Sequence, residues 1–289
     1  VFPFGYLSGK SHPMRIHLLL VFSFVLGAGA SGQEKGNRVA TQVADRKAQS
    51  TFARLEPFTH AEMPALREAL VGAVVEDATF MMASATTLAE AHALAPEQLT
   101  LAIPAANSVI ELDLIRSEIY SPGFSLVTAS TDAPAVHAPG LHYRGIIAGQ
   151  PNTLAAISIF PDEVMGFVSD AGGNHVLGKL EGSATEHIYY AERDLIDPPV
   201  IGCETPHAEV QPTERRFPSL GAAKTIRCVD LYWEVNHDIF LDKGGLTNTT
   251  NYITGLFNQH ATLFKNDGIS VLLSELYIWD VPSPYTGNT

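Results

Sequence analysis

The last quarter of the chain, residues 227–285, contains a strand, a helix and a second strand in an order that constrains the fold. The run Cys228–Val235 is rich in β-branched and aromatic residues, and Ile269–Trp279 has the same composition. Between them, apolar residues from Ile253 to Phe264 recur at helical spacing, after Thr247 or Asn248 as a cap. A crossover of this length predicts that the two strands lie side by side and parallel.

Four short β-rich runs occupy the middle of the chain, at residues 142–148, 154–160, 164–168 and 175–180. Residues typical of tight turns, such as Gly, Pro, Asn and Asp, separate each run from the next. This alternation predicts an antiparallel meander.

The residues before the meander show weaker patterns. Residues 32–50 are polar and charged without apolar periodicity, so no structure is assigned to them. A short helix is predicted for His60–Leu70, with Pro64 in its first turn, and strands are predicted at 79–82, 99–103 and 109–115. Residues 86–95 have helical or loop potential.

The start of the chain has the form of an export signal. Residues 1–13 fit no pattern and are interpreted as an untranslated or disordered leader, whereas Met14 and Arg15 precede an apolar run from Ile16 to Leu26. Ala28 and Ala30 have the spacing that signal peptidase accepts, so residues 14–30 are predicted to be a signal peptide. The alternative is a buried apolar strand. A secreted or periplasmic protein without a membrane anchor follows from the first interpretation.

Charge and composition exclude two classes of protein. The chain has 289 residues, 46 % of them hydrophobic, which is enough for packed cores and excludes a disordered protein. Its net charge of −13, without a basic block, excludes a nucleic-acid partner.

Prolines cluster between residues 198 and 218 beside the dibasic pair Arg215 and Arg216, which predicts a linker. A processing protease would cut at that pair, unless it is simply solvated.

Four motifs in the last quarter carry a resemblance to a known family. They are VDLYWEV at 229–235, YITGLF at 252–257, NDGI at 266–269 and LYIWD at 276–280. In this order they resemble the N-terminal part of the reprolysin-like zinc metallopeptidases, the adamalysin branch of the metzincins. The meander, with Tyr143–Gly145, Ile157–Ser158 and Gly166–Val168, resembles the propeptide of that family. An unrelated extracellular β-sandwich is the alternative for the meander.

The resemblance implies an α+β fold class, in which an antiparallel β-rich propeptide precedes the strand-helix-strand opening of a metzincin-like α/β catalytic domain. The implied limits are 31–200 for the propeptide-like domain, 201–222 for the linker and 223–289 for the truncated start of the catalytic domain. The implied function is the N-terminal portion of a secreted zinc metalloendopeptidase zymogen acting on protein or peptide substrates. The competing hypothesis is an exported, non-enzymatic β-rich binding or adhesion module.

The family's zinc motif, His-Glu-x-x-His-x-x-Gly-x-x-His, does not occur in this sequence. Zinc is therefore expected in the full-length protein, where it would polarise a water and the scissile carbonyl, with the glutamate of the motif as general base. This chain alone is expected to bind no cofactor and to be inactive.

The resemblance implies metal-binding roles for two residues. Cys203 lies where a propeptide cysteine would ligate the catalytic zinc and keep the precursor latent. A disulfide between Cys203 and Cys228, or unpaired thiols, are the alternatives, because an exported chain with two cysteines permits either. Asp230 matches an acidic residue that holds calcium in some members of the family, and a carboxylate suits that cation.

Overall fold

Strands dominate the computed structural model, which describes residues 36–105, 108–198 and 228–285. The helices among these residues are α1 Arg38–Gln49, α2 Ala65–Val71, α3 Ala85–Leu94, α4 His237–Lys243 and α5 Leu246–Asn266, with a 3-10 turn at Glu192–Asp194. The strands are β1 Ala53–Leu55, β2 Phe58–His60, β3 Thr79–Ala83, β4 Gln98–Ala105, β5 Ser108–Arg116, β6 Tyr120–Thr128, β7 Ala133–Pro134, β8 Leu141–Ile147, β9 Leu154–Phe160, β10 Glu163–Asp170, β11 Gly173–Lys179, β12 Glu186–Ala191, β13 Cys228–Val235 and β14 Ser270–Ile278.

Ten of the described strands form one sheet, in the order β1-β4-β5-β8-β9-β10-β11-β12-β3-β2. The sheet is mixed, because β1 runs parallel to β4 whereas the other neighbours are antiparallel. It curls until β2, at one end of the order, contacts β4 near the other. Apolar side chains fill the inside of the curl, and Met81, Leu101, Tyr143 and Ile157 are fully buried there.

The meander predicted from the turn residues is confirmed by the strands β8, β9, β10 and β11. Each pairs antiparallel with the next along the chain. Gly145 and Gly166 lie within these strands because a Cβ at either position would overlap a backbone carbonyl, of Asp113 and Ala156 respectively. Close approach of neighbouring strands therefore explains two glycines that β propensity alone disfavours.

A second sheet of four strands has the order β13-β14-β6-β7. The strands predicted in the last quarter are β13 and β14, and their parallel pairing is confirmed, with Val229 opposite Val271 and Val235 opposite Ile278. The helix predicted between them is α5, which begins slightly earlier than expected, after Gly245. On its other side β14 runs parallel to β6, where Leu276 lies opposite Leu126.

Helix α5 lies between the two sheets and is buried on both sides. Its apolar side chains, including Ile253, Phe257 and Ala261, form a second core with Leu273 and Leu276 of β14. The opposite side of the helix contacts β8, β9 and β10 of the large sheet.

Several threonines of α5 are buried where an amphipathic surface helix would present polar residues to water. Their hydroxyls donate to carbonyls one turn earlier in the same helix: Thr250 Oγ1 to the Leu246 oxygen and Thr254 Oγ1 to the Thr250 oxygen, both at 2.8 Å. The helix thereby satisfies these hydroxyls itself, so that they can face a dry interface.

A buried chain of hydrogen bonds connects the two sheets through α5. Tyr120 on β6 contacts His142 Nε2 at 3.3 Å, and His142 Nδ1 lies 2.9 Å from Ser158 Oγ on β9. From α5, the Asn258 amide nitrogen donates to Ser158 Oγ at 3.3 Å and to the carbonyls of Tyr143 and Ile157 at 3.1 Å each. Because Asn258 is fully buried, these bonds form without competition from water.

The predicted fold class is wrong. Of the described residues 42 % are in strands and 27 % in helices, and the large sheet is mixed and curled, which differs from an antiparallel propeptide followed by a metzincin-like opening. The decisive finding is β6, which comes from the part of the chain assigned to the propeptide and pairs with β14. Residues about 150 positions apart meet in this pair, as Ser125 and Glu275 do.

Helix α1 forms where no structure was expected. Only Val39, Ala40 and Val43 of its twelve residues are buried, and they pack against Ile115 and Ile146. Asn37 caps the helix by accepting a hydrogen bond from the Ala40 amide at 2.9 Å. Val39, Ala40 and Val43 have the spacing of one helix face, but they are few among polar and charged residues, so the overall polar composition was misleading.

Contacts join the described residues from Asn37 onward into one compact unit. No helix among the described ranges is long and apolar enough to span a membrane. The leader 1–13, the signal peptide 14–30 and the whole linker 201–222 lie outside the described residues. The domain limits 31–200, 201–222 and 223–289 therefore stay predictions.

Replacing Asn258 by leucine should lower the free energy of unfolding by about 2–4 kcal/mol, because two buried carbonyls and Ser158 lose their donor. Asn248→Leu on the same helix is the matched control. Asn248 is exposed and makes one bond, to the Lys243 carbonyl, so its replacement should change stability by less than about 1 kcal/mol. Urea denaturation followed by circular dichroism measures both, and equal effects would contradict the role of Asn258.

Acid should destabilise the protein through His142. Burial, with the positive charges of Arg116 and His137, lowers the pKa of His142 to about 3, below its ordinary value near 6.5. The neutral ring therefore contributes stability above pH 6.5 that is lost as the pH falls toward 3. The free energy of unfolding of the wild type should fall between pH 7 and pH 4. In His142→Gln this fall should be smaller, by an amount on the order of 2–3 kcal/mol.

The control for this titration is Tyr120→Phe, which removes the hydroxyl next to His142 Nε2 but keeps the imidazole. It should lower stability at every pH and retain the steep acid dependence of the wild type. Denaturant unfolding at each pH gives the comparison. The assignment to His142 fails if His142→Gln is as sensitive to acid as Tyr120→Phe.

Candidate functional site

Three of the residues singled out from the sequence lie outside the described residues: Cys203, Arg215 and Arg216. Their roles in zinc ligation and in processing stay predictions. Cys228 begins β13, and its thiol is exposed and free. It is therefore accessible to a partner thiol or to an alkylating reagent.

Asp230, the candidate calcium ligand, lies on β13, the outer strand of the four-stranded sheet, with its side chain exposed. Within the described ranges, no three His, Cys, Asp or Glu side chains come close enough together to hold a metal ion. A calcium ion needs several oxygen ligands, and Asp230 supplies one carboxylate. The calcium role of Asp230 stays a prediction.

Ser158 and His142 form a pair that resembles a nucleophile and its base in distance alone. The Ser158 Oγ to His142 Nδ1 distance is 2.9 Å, but the two residues are 1 % and 2 % exposed. A substrate cannot reach the hydroxyl, and the low pKa of His142 comes from burial rather than from a catalytic neighbour. The pair is structural.

A groove of about 860 Å³ with a mixed polar and apolar lining lies between the β10–β11 hairpin and the start of α5, and is here named the β10–α5 groove. Tyr252, Leu256 and Gln259 of α5 line one wall, and Met165 and Leu177 belong to the opposite wall. The volume of the groove suits a small molecule or a short peptide segment.

Paired charges surround the β10–α5 groove. Lys179 Nζ lies 3.0 Å from a carboxylate oxygen of Asp162 and 3.7 Å from one of Glu163. Lys243 Nζ lies 2.8 Å from an Asp242 carboxylate oxygen and 4.4 Å from the centre of the Tyr252 ring. Both lysines are therefore partly neutralised, and Lys243 is also held by a cation–π contact.

Glu163, in the lining of the groove, has a carboxyl pKa shifted from its ordinary value. Burial raises the pKa of Glu163, and the positive charge of Lys179 opposes this shift. A raised carboxyl pKa suits an acid catalyst, but the described lining contains neither a second such group nor a metal cluster.

Sequence reasoning missed the β10–α5 groove because its walls come from segments far apart in the chain. One signal was present, the turn-rich run Asp242–Gly245. Gly244 has a φ of 75° and ends α4, and Gly245 has a φ of 128° and precedes α5. These two glycines set the corner that holds Lys243 against the groove.

Comparison with known proteins finds weak structural similarity. No family model matches the chain, and no curated protein matches it. The crystal structure of metalloproteinase-II from Bacteroides fragilis is similar over 82 % of this chain and 61 % of that chain, with 8 % sequence identity and a TM-score of 0.31. The chain thus spans less than two thirds of that structure's length. The similarity to a metalloproteinase is distant, and the function has to be argued from the residues of this chain.

Proposed function

We propose that this chain is the N-terminal portion of an exported, zinc-dependent metalloendopeptidase precursor, and that the described residues form a part of the precursor that holds no zinc. One observation carries the proposal. The motifs at 229–235, 252–257 and 276–280, which resemble the reprolysin-like family, lie on β13, α5 and β14. These elements form a parallel pair joined by a helical crossover, the local arrangement that the order of the motifs predicts.

The described residues do not fit a zinc site. Zinc needs three or four nitrogen, sulfur or carboxylate ligands around one point, and no such group occurs in residues 36–105, 108–198 and 228–285. No step of peptide hydrolysis is therefore assigned to these residues. In the proposal, the metal ligands belong to another part of the full precursor.

Latency is the role proposed for Cys203. A thiolate on the catalytic zinc would occupy the position of the attacking water, so the precursor would stay silent until the linker is cut. Arg215 and Arg216 are the proposed cutting site, because a dibasic pair in a linker suits a processing protease. Protein or peptide substrates would follow from the peptidase activity.

A second candidate function is an exported binding module. The β10–α5 groove favours it, because its walls offer apolar surface and paired charges without a catalytic group beyond Glu163. In that case the ligand would lie between Tyr252 and the β10–β11 hairpin, and no downstream catalytic motif would be needed.

The chain from residue 31 to 289 should hold far less than one zinc ion per molecule and should not cleave peptides. Atomic absorption after dialysis and a quenched fluorescent peptide library measure these properties. A longer precursor that includes a His-Glu-x-x-His helix should gain chelator-sensitive activity once its linker is cut. Stoichiometric zinc in the short chain would contradict the proposal, and a longer precursor without activity would favour the binding module.

Cys203→Ala should make the unprocessed, full-length precursor active, because the thiolate no longer blocks the zinc. Cys228→Ala is the matched control and should leave the precursor silent. If the two cysteines form a disulfide instead, both variants should lose about 2–4 kcal/mol of stability without gaining activity. Peptidase assays and thiol titration of both variants separate these results, and a silent Cys203→Ala precursor with one new free thiol would reject the latency role.

A further inference from the structure

A second cavity, here named the basic pocket, lies at the opposite end of α5 from the groove. It has a volume of about 430 Å³ and lies between α1, the end of β5, β8 and the end of α5. Its cationic side chains are Arg46, Arg116, Arg144 and Lys265, and its acidic ones are Asp45 and Glu118. Four positive and two negative side chains leave an excess of two positive charges.

Arg144 is the most deeply placed of these cations, with 8 % of its surface exposed. Its Nε donates to Ser117 Oγ at 3.0 Å, and its Nη2 donates to the same oxygen. Ser117 is itself buried and uncharged. A guanidinium has five N–H donors, so one hydroxyl oxygen leaves most of this hydrogen-bonding capacity unused.

The cations of the basic pocket have no carboxylate partners among the described residues. None of the ion pairs found there includes Arg116, Arg144 or Lys265. Lys265 donates to the Ser270 hydroxyl at 3.3 Å, and Arg116 donates to the Ala95 carbonyl at 3.3 Å. Both partners are neutral.

Asp113, another buried charged residue, has an oppositely charged partner. Asp113, which is 1 % exposed, accepts from Lys47 Nζ at 2.5 Å and from Thr100 Oγ1 at 2.9 Å. An opposite charge thus compensates the burial of Asp113, as is usual for a buried ion. Arg144 is the contrasting case, a buried ion beside two further cations.

The cations also act on one another. Burial lowers the pKa of Arg144 to about 10, with no acidic neighbour opposing the shift, so the group is still charged at neutral pH. Burial and the charge of Arg144 both lower the pKa of Lys265, and Arg38 contributes further repulsion. An anion in the pocket would relieve this repulsion and use the remaining guanidinium donors.

We propose that the basic pocket is a binding site for a tetrahedral, doubly charged oxyanion, a phosphate or sulfate group, held by Arg144, Arg116 and Lys265. Two charges on the ligand match the excess of two on the lining. Four oxygens can accept from a guanidinium fork and from an ammonium at the same time. The cavity of about 430 Å³ has room for the group as a free ion or as part of a small molecule.

Isothermal titration calorimetry of the full chain at low ionic strength tests the site. Inorganic phosphate and sulfate should each bind at one saturable site and raise the melting temperature, compared with sodium chloride of the same ionic strength. Glycerol phosphate distinguishes the source, since tighter binding than inorganic phosphate assigns a phosphomonoester and weaker binding assigns the free ion. Acetate binding as tightly as phosphate would overturn the proposal, as would the lack of saturable phosphate binding.

Variants locate the binding. Arg144→Gln should weaken phosphate binding by about tenfold or more, because it removes a charge-assisted fork. The Lys265 side chain is only partly buried, and Lys265→Gln should weaken phosphate binding as well. This second variant keeps the test valid if Arg144→Gln does not fold. The matched control is Arg193→Gln, which removes the same charge from a side chain that is 67 % exposed and outside the pocket. Equal affinities in all variants would overturn the assignment.

Discussion

The burial of α5 between two sheets is the constraint on which the rest of the structure depends. A helix covered on both sides has no water to satisfy its polar groups, so most of them find partners inside the protein, whereas Asn258 Oδ1 and Thr262 Oγ1 have none among the described residues. The hydroxyls of Thr250 and Thr254 donate to carbonyls of the same helix, and the Asn258 amide donates to two carbonyls of the large sheet. Ser158, His142 and Tyr120 extend these bonds to β6, so the same contacts connect both sheets.

The two candidate sites lie at the two ends of this helix. Toward its N-terminus, α5 lines the groove together with the β10–β11 hairpin, and Tyr252 and Lys243 border this groove. At its C-terminus, Lys265 approaches Arg144 and Arg116 and closes the basic pocket. The rigid middle of the helix positions both sites, because close packing there prevents either end from moving independently.

The two sites differ in how their charged side chains are paired. The lysines of the groove are paired, whereas the cations of the pocket are unpaired among the described residues. An anion that fills the proposed site in the basic pocket would stabilise the folded form over the unfolded one.

Local sequence patterns alone determined the parallel pair β13 and β14, the helix α5 and the meander β8–β11, because apolar periodicity and turn residues act over a few positions. They could not reveal β6, which contains Pro122 and Gly123 and becomes a strand only by pairing with β14 about 150 residues away. Helix α1 likewise depends on Ile115 and Ile146 for its few buried contacts. The fold class, the groove and the basic pocket were decided by the tertiary structure, since each is built from segments whose proximity no short-range pattern records.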